Sequence, residues 1–361
     1  MAPRPDPDSR ALRTGLTTGA CATAAAVAAS RLALGGPEQS PVAITLPRGE
    51  SVTMTINDQT VRPTGAEAAV IKDAGDDPDA THGARVWALV EPRPEPGVAF
   101  HAGAGVGTVT RPGLPVAVGE PAINPVPRRL IEGHLGEVAE AVGFTGGFSV
   151  TVGVDDGERI AERTMNGRLG IIGGLSILGT TGIVRPFSCA AYVASIHQSI
   201  DVARANGETR LACCTGGTSE DAARSLYRLS DMALIEMGDL FGATLKYLRR
   251  DPPPAIALVA GFGKLSKFAQ GHADTHSRKC AIDLGFLADQ ATQAGANPAL
   301  ADRIRAANTS IDALTACQTA GVPVADRICA LALEQGRRYL PGNIELTVHA
   351  VDRSGNVVGA A

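Results

Sequence analysis

A chain of 361 residues is long for one hydrophobic core; 44% hydrophobic, 19% charged and 4% aromatic residues with 42 glycines suit a packed two-domain α/β protein with many turns. The formal net charge of −4 and pI near 6.0 exclude a global basic field for nucleic acid or an anionic membrane, so any anion-binding surface must be local. The longest apolar stretches are strand length, far short of the roughly 20 residues that span a bilayer. The seven cysteines have no C-x-x-C spacing, which fits neither a disulfide framework nor a zinc cage and points to a reducing cytoplasm.

Residues 1–12 carry prolines and charges where a signal peptide needs an apolar run, and are expected to be a flexible tail. Thr17, Thr18 and Gly19 then lead into an alanine-rich helix that Gly35-Gly36 ends. The polar triplet at its start is either an anion seat or the cap of a core helix. Short strands follow at Val42–Leu46, Ser51–Ile56, Ala66–Ile71, Arg85–Val90, Val98–His101 and Phe148–Val154, with a helix near Pro127–Ala141 and a hairpin turn at Asp155-Asp156-Gly157. Short strands punctuated by Gly and Pro predict an α+β domain over 13–167 with an antiparallel or mixed sheet.

Beyond it the period changes. Strands near 171–178, 209–214, 232–236 and 255–260 alternate with helices near 188–206, 219–229 and 239–249, which predicts a Rossmann-like α/β domain with a parallel sheet over 168–341. In Leu169–Ser188 an apolar run breaks into Gly179-Thr180-Thr181-Gly182, with Ser188 as cap of the next helix. Strand, glycine turn and helix is the opening of a βαβ unit, and such a turn aims backbone N–H groups at a ligand. Residues 281–338 read as helical, and 342–361 as a C-terminal β-hairpin turning at Ser354-Gly355, of unassigned sheet.

Several stretches carry candidate chemistry. Asp73, Asp76, Asp77 and Asp79, with His82 behind them, could bind a hard cation or act as a base, or form a solvated turn around Gly75 and Pro78. Gly103–Gly107 follows a strand but precedes no helix, so it reads as a close-approach loop and not a dinucleotide fingerprint. Arg111, Arg128 and Arg129 could face an acidic ligand or be scattered surface charge. The turn Gly261-Phe262-Gly263-Lys264, with Lys267 one turn on, makes a local anion site. It fails the P-loop pattern, because Leu258 and Leu265 stand where glycine and Ser/Thr are required. His272-Ala273-Asp274-Thr275-His276 could be a metal triplet, but is better read as a loop that caps a helix or contacts a ligand.

Five stretches in chain order, RTGLTTGACATAAA, VIKDAGDDPDATHG, GVGTVTRPGLPVAVGEPAINPVPRR, LGIIGGLSILGTTGIVRPFS and GKLSKFAQGHADTHS, span residues 13 to 277. Together they resemble the CbiD family, the cobalt-precorrin-5B C(1)-methyltransferases of cobalamin biosynthesis. The resemblance implies transfer of the methyl group of S-adenosylmethionine (SAM) to C1 of cobalt-precorrin-5B, giving cobalt-precorrin-6A. It implies an N-terminal α+β domain like the second domain of ribosomal protein S5 and a C-terminal Rossmann-like domain. Cobalt enters only as part of the substrate, and no protein metal site is expected. On this reading SAM lies over Gly179, Thr180, Thr181 and Gly182, with Thr215, Gly216, Gly217, Glu236, Gly261 and Gly263. The macrocycle meets Thr17, Thr18, Gly19, Asp73, Asp76, Arg128, Lys264 and Ser277, while Asp77 and His276 are the candidates for handling a proton. Expected partners are the corrinoid substrate, with a homo-oligomer and other cobalamin-pathway enzymes as further candidates, no nucleic acid and no membrane; the expected location is cytoplasmic. Two rivals differ in their use of SAM. An NAD-dependent oxidoreductase would need G-x-G-x-x-G where GGLSILGTTG stands, and a non-catalytic corrinoid carrier would have no use for the donor.

Overall fold

The computed structural model describes residues 12–361, so all but the last residue of the expected tail lies outside the described residues. The chain divides into two compact units, Met1–Ser188 and Cys189–Ala361.

Unit 1 holds β1 (Gly15–Leu16), α1 (Thr18–Ala33), β2 (Val42–Thr45), β3 (Ser51–Met54), β4 (Asp58–Arg62), β5 (Gly65–Ile71), β6 (Arg85–Arg93), β7 (Val98–Ala102), β8 (Thr108–Val109), α2 (Pro125–Val142), β9 (Gly147–Val154), α3 (Gly157–Ala161), β10 (Ile171–Ile172) and β11 (Ile183–Val184). Its main sheet has the order β4-β5-β6-β9-β7, antiparallel except where β7 runs parallel to β9. Alternate residues of the central strands (Val86, Ala88 and Val90; Val150, Val152 and Val154) are buried in the core that α1 and α2 cover. Helix α1 is buried from Thr18 to Ser30 with almost no exposed face, and its run of alanines is what lets sheet and α2 approach it so closely. Pro125 at the start and Gly143 in a left-handed conformation at the end delimit α2.

Three local expectations change here. Strand β4 was not anticipated: its sequence, DQTVR, is polar because it is the sheet's edge. Asp155-Asp156-Gly157 is no hairpin; Asp156, at φ +56, turns the chain into the one-turn helix α3. The expected strand 171–178 does not enter a parallel sheet, and residues 168–188 belong to unit 1 instead of opening the second domain at 168. Ile171 and Ile172 pair antiparallel with β8, Leu175 and Ile177 bridge to Val106 and Ile123, and β11 pairs with β1. The burial is one-sided: Ile171, Leu175 and Ile177 are buried while Ile172 and Leu178 are exposed, whereas a strand of a doubly wound sheet is covered on both faces. Because the exposed positions are also apolar, the sequence hides the alternation. The glycine loop Gly103–Gly107 does provide a close approach: a Cβ on Gly105 would lie 1.9 Å from the Val154 carbonyl oxygen.

Unit 2 holds α4 (Cys189–Ala205), β12 (Arg210–Cys214), α5 (Gly217–Tyr227), a 3-10 turn (Asp231–Ala233), β13 (Leu234–Glu236), α6 (Phe241–Leu248), β14 (Ala255–Gly261), α7 (Phe262–Ala269), α8 (Leu284–Gln293), α9 (Pro298–Arg305), α10 (Ser310–Thr319), α11 (Val324–Arg337), β15 (Glu345–Val351) and β16 (Val357–Ala360). The sheet order is β13-β12-β14-β15-β16, parallel throughout except for the edge strand β16. The expected C-terminal hairpin forms and joins this sheet: β15 is an inner parallel strand beside β14, and β16 folds back on it around Gly355 at φ +85. Both faces of the central strands are covered, so β12 and β14 read as unbroken apolar runs. Leu211 and Cys213 face the large core under α4, α6, α7 and the helical layer, and Ala212 and Cys214 face α5. Thr309 and Asp312 close α10 with a reciprocal capping box worth about 1 kcal/mol.

Candidate functional site

In unit 2 the chain leaves β12 across one face of the sheet, through α5, to reach β13. It then crosses the other face, through α6, to β14 on the far side of β12. The connections therefore diverge at the carboxyl ends of β12 and β14, the place where open α/β sheets form a ligand crevice. The Gly261 N–H donates to Thr215 Oγ1 at 3.4 Å, tying the two strand ends together. Ser219 Oγ accepts the Thr215 N–H at 2.9 Å and donates to the Gly216 carbonyl at 2.7 Å, fixing the start of α5. Gly216 sits at φ +152, and a Cβ on Gly216, Gly217 or Gly261 would meet no atom within 4 Å. The result is a backbone edge bare of side chains, open to a flat ligand and bordered by the starts of α5 and α7. Gly263 is different: a Cβ there would lie 2.7 Å from Ser310 Oγ, so its glycine serves the packing of α7 on α10.

The third wall is the turn after β13. The Met237 N–H donates to the Cys214 carbonyl at 2.8 Å, and Gly238, at φ +56, lies so close under Tyr192 that a Cβ would stand 2.6 Å from the phenol oxygen. Asp239 accepts the Thr275 N–H on its carbonyl (2.9 Å) and the Thr275 hydroxyl on Oδ1 (2.8 Å). Lys264 Nζ lies 3.3 Å from Asp239 Oδ1 and 3.4 Å from the Thr215 carbonyl, and buried Lys267 donates to the Thr275 carbonyl at 3.0 Å. Burial, followed by the carboxylates of Glu236, Asp239 and Glu220, pushes the Tyr192 phenol up to about 12, so it stays protonated at neutral pH. Thr215, Gly216, Gly217, Glu236, Gly261 and Lys264 thus come together as the sequence suggested. Tyr192 and Asp239 were not anticipated. Asp239 follows a glycine just past a strand, as Gly216-Gly217 do, and that was a usable signal; Tyr192, in the first turns of α4, gave none.

The loop after α7 leads from Thr275 to His276 and Ser277, both exposed. His276 Nδ1 accepts the Arg278 N–H at 3.2 Å, and Asp274 is ion-paired with Lys279. Burial would raise the Asp274 carboxyl, but the Lys279 and His276 hydrogen bonds outweigh it and hold the group below the ordinary range. Among the described residues no group of three or more His, Cys, Asp or Glu side chains is placed to hold a metal ion, and no helix is long and apolar enough to cross a membrane.

The other residues singled out from the sequence lie in unit 1, where they bond to one another. The Thr17 N–H donates to the Gly182 carbonyl (3.0 Å), the Gly19 N–H to the Leu178 carbonyl (3.0 Å), and the Ala20 N–H to Thr17 Oγ1 (3.2 Å). Thr18 Oγ1 bonds both the Leu178 N–H and carbonyl. Leu178 and Gly182 therefore clasp the start of α1, where the Leu178 carbonyl, the Thr17 hydroxyl and the Thr17 carbonyl take the N–H groups of Gly19, Ala20 and Cys21, while Thr181 Oγ1 bonds Ile183. The acidic loop is likewise engaged. Asp73 pairs with Arg13, whose hydrogen bond brings the carboxyl down to about 2. Asp76 Oδ2 accepts the Arg13 N–H at 2.6 Å, Asp77 Oδ1 accepts the Phe187 N–H at 2.9 Å, and Asp79 pairs with buried Lys72 at 2.7 Å. Arg128 is occupied by the Ile123 and Pro121 carbonyls and by Glu120, and its guanidinium lies over the Phe100 ring.

A doubly wound sheet with a bare, lysine-bearing edge at its switch point is the arrangement at which open α/β proteins bind small molecules. A sequence model described as CbiD matches residues 6–186, and one described as CbiD, C-terminal domain, matches 274–361. The chain is 58% identical, over 97% of its length and 97% of theirs, to the cobalt-precorrin-5B C(1)-methyltransferase of Burkholderia cenocepacia (strain HI2424). It is likewise 58% identical to that of Pseudomonas aeruginosa (strain LESB58), over 97% of this chain and 96% of that one. The crystal structure of a cobalamin biosynthesis protein (cbiD) from Archaeoglobus fulgidus matches at 28% identity and a TM-score of 0.41, over 74% of this chain and 84% of that one. The chain belongs to the CbiD family.

Proposed function

We propose that this protein is a cobalt-precorrin-5B C(1)-methyltransferase of cobalamin biosynthesis whose methyl donor, SAM, binds in the crevice of unit 2. The function rests on 58% identity over 97% of the chain. The placement of the donor is supported above all by the bare edge at Gly216, Gly217 and Gly261 on the two diverging strands. Glu236, ending β13, would hold the ribose hydroxyls, and the starts of α5 and α7 would receive the donor carboxylate. When bound, the sulfonium donor supplies an electrophilic methyl carbon. No activated side-chain nucleophile is required, because holding two reactants in line can supply about 7–11 kcal/mol of the barrier. Lys264 and Ser277 would hold carboxylates of the corrinoid. His276 accepts the Arg278 N–H on Nδ1, so its neutral ring carries its hydrogen on Nε2 and would meet the macrocycle as a hydrogen-bond donor, with the proton the macrocycle loses passing to solvent. Asp77, which holds the Phe187 N–H, and the Gly179–Gly182 segment, which clasps α1, are read as parts of the fold.

The same reading likens unit 1 to the second domain of ribosomal protein S5, supported by its mixed sheet with two helices on one face. It places the protein in the cytoplasm, supported by seven cysteines whose spacing fits neither a disulfide framework nor a zinc cage. The test is mass spectrometry of cobalt-precorrin-5B incubated with the protein and methyl-labelled SAM. One labelled methyl group, located at C1 by NMR, is expected. A corrinoid that binds but stays unmethylated at saturating SAM would make the protein a carrier.

A further inference from the structure

Two carboxylates, Glu236 at the end of β13 and Asp239 in the turn after it, border the glycine edge of the crevice. Glu236 is half-buried, and its carboxylate takes no hydrogen bond or ion pair among the described residues. Asp239 shares its Oδ1 between the Thr275 hydroxyl and Lys264. Glu220 lies buried in the first turn of α5, and all three carboxylates act on the one phenol of Tyr192, which closes over Gly238. Asp239 is offset by Lys264 and Lys267 is engaged by the Thr275 carbonyl, so Glu236 is the carboxylate left beside the glycine edge with no side-chain partner among the described residues.

Resting on the donor placement above, we propose that Glu236 and Asp239 make this crevice selective for charge, so that it holds the cationic sulfonium and releases the neutral thioether. In the transfer the S–CH3 bond breaks with its electron pair left on sulfur, the C1–CH3 bond forms, and the macrocycle gives up a proton. The ligand loses its sulfonium charge in the chemical step itself. The carboxylates that retained the donor then have no sulfonium to attract, and product release follows from the chemistry without a separate conformational trigger. The donor's α-amino and carboxylate groups are common to both ligands, so a comparison of the two isolates the sulfonium.

The experiment is isothermal titration calorimetry of the full chain with SAM and with S-adenosylhomocysteine, for wild type, E236Q and D239N. The wild type is expected to favour SAM by about tenfold or more, as a carboxylate about 6 Å from a unit charge at an effective dielectric of about 20 allows. Each variant is expected to bring that ratio down to about two- to threefold, mostly through weaker SAM binding. Retained binding of the thioether shows that each variant is folded and its crevice intact. An unchanged ratio in both variants, or equal loss of both ligands in both, overturns the proposal. Equal affinity of the wild type for the two ligands overturns it while leaving the donor placement standing; binding of neither overturns both.

Discussion

Gly179 sits at φ +141 with Thr17 directly against it: a Cβ there would lie 2.2 Å from Thr17 Oγ1 and 2.5 Å from Thr17 Cβ. Both the backbone conformation and the contact exclude a side chain, so G179A should cost about 2–4 kcal/mol of unit 1 stability in urea unfolding. If the donor binds in the crevice of unit 2 as proposed, the SAM affinity of the folded variant should be unchanged. Loss of SAM binding with stability intact would return Gly179–Gly182 to the donor site. Lys72 presents the complementary case, a fully buried ammonium whose partner Asp79 keeps some contact with solvent. Burial would raise the Asp79 carboxyl, but the Lys72 and Thr81 hydrogen bonds prevail and hold it below its ordinary value. A depressed carboxyl stabilises the fold above the ordinary carboxylate range, and that contribution is lost as pH falls through its folded value. K72M should therefore lose about 3 kcal/mol near neutral pH, the low end for a broken buried pair. The gap to wild type should narrow in acid, as unfolding curves at several pH values will show.

The ends of strands separate structural glycines from those that leave room for a ligand. Gly261 has an ordinary φ of −59° and open space where a Cβ would go, so G261A should fold with stability within about 0.5 kcal/mol of wild type. The added methyl group stands in the proposed donor crevice, and the KM for SAM should rise about tenfold. An unchanged KM would move the donor elsewhere. At this scale the sequence was most informative where periodicity alone decides. The apolar runs of β12 and β14 and the Gly-Gly and Gly-Phe-Gly turns after them identify two buried parallel strands and where they end. It was least informative where partners decide. Ile171–Leu178 has the composition of a buried parallel strand, yet it is an extended segment bonded to the loops of unit 1, with Ile172 and Leu178 exposed. Periodicity reports which faces are apolar and cannot report which strand lies alongside. Glu345–Val351 shows the same limit: its hairpin with β16 was legible, but its pairing with β14, far back in the chain, was not.

For the whole molecule, the pairing of one strand decides where the chain divides. Counting 171–178 with the parallel sheet placed the boundary at 167 and put Gly179–Gly182 beside Thr215–Gly217; the pairing of β10 with β8 and β11 with β1 puts it after Ser188. The family match to residues 6–186 ends close to the same point. The acidic loop was legible as unusual, yet two of its carboxylates fasten Arg13 and Phe187, residues so distant in sequence that no local spacing reveals the contact, while a third holds nearby Lys72, whose burial the local pattern does not show. The central claim is that the donor sits at the carboxyl ends of β12, β13 and β14. Hydrogen–deuterium exchange of the intact protein with and without SAM tests it most directly. Donor-dependent protection is predicted at residues 214–218, 236–240 and 260–265, with residues 179–182 unchanged. Protection confined to residues 179–182, with the three strand ends of unit 2 unaffected, would contradict the account.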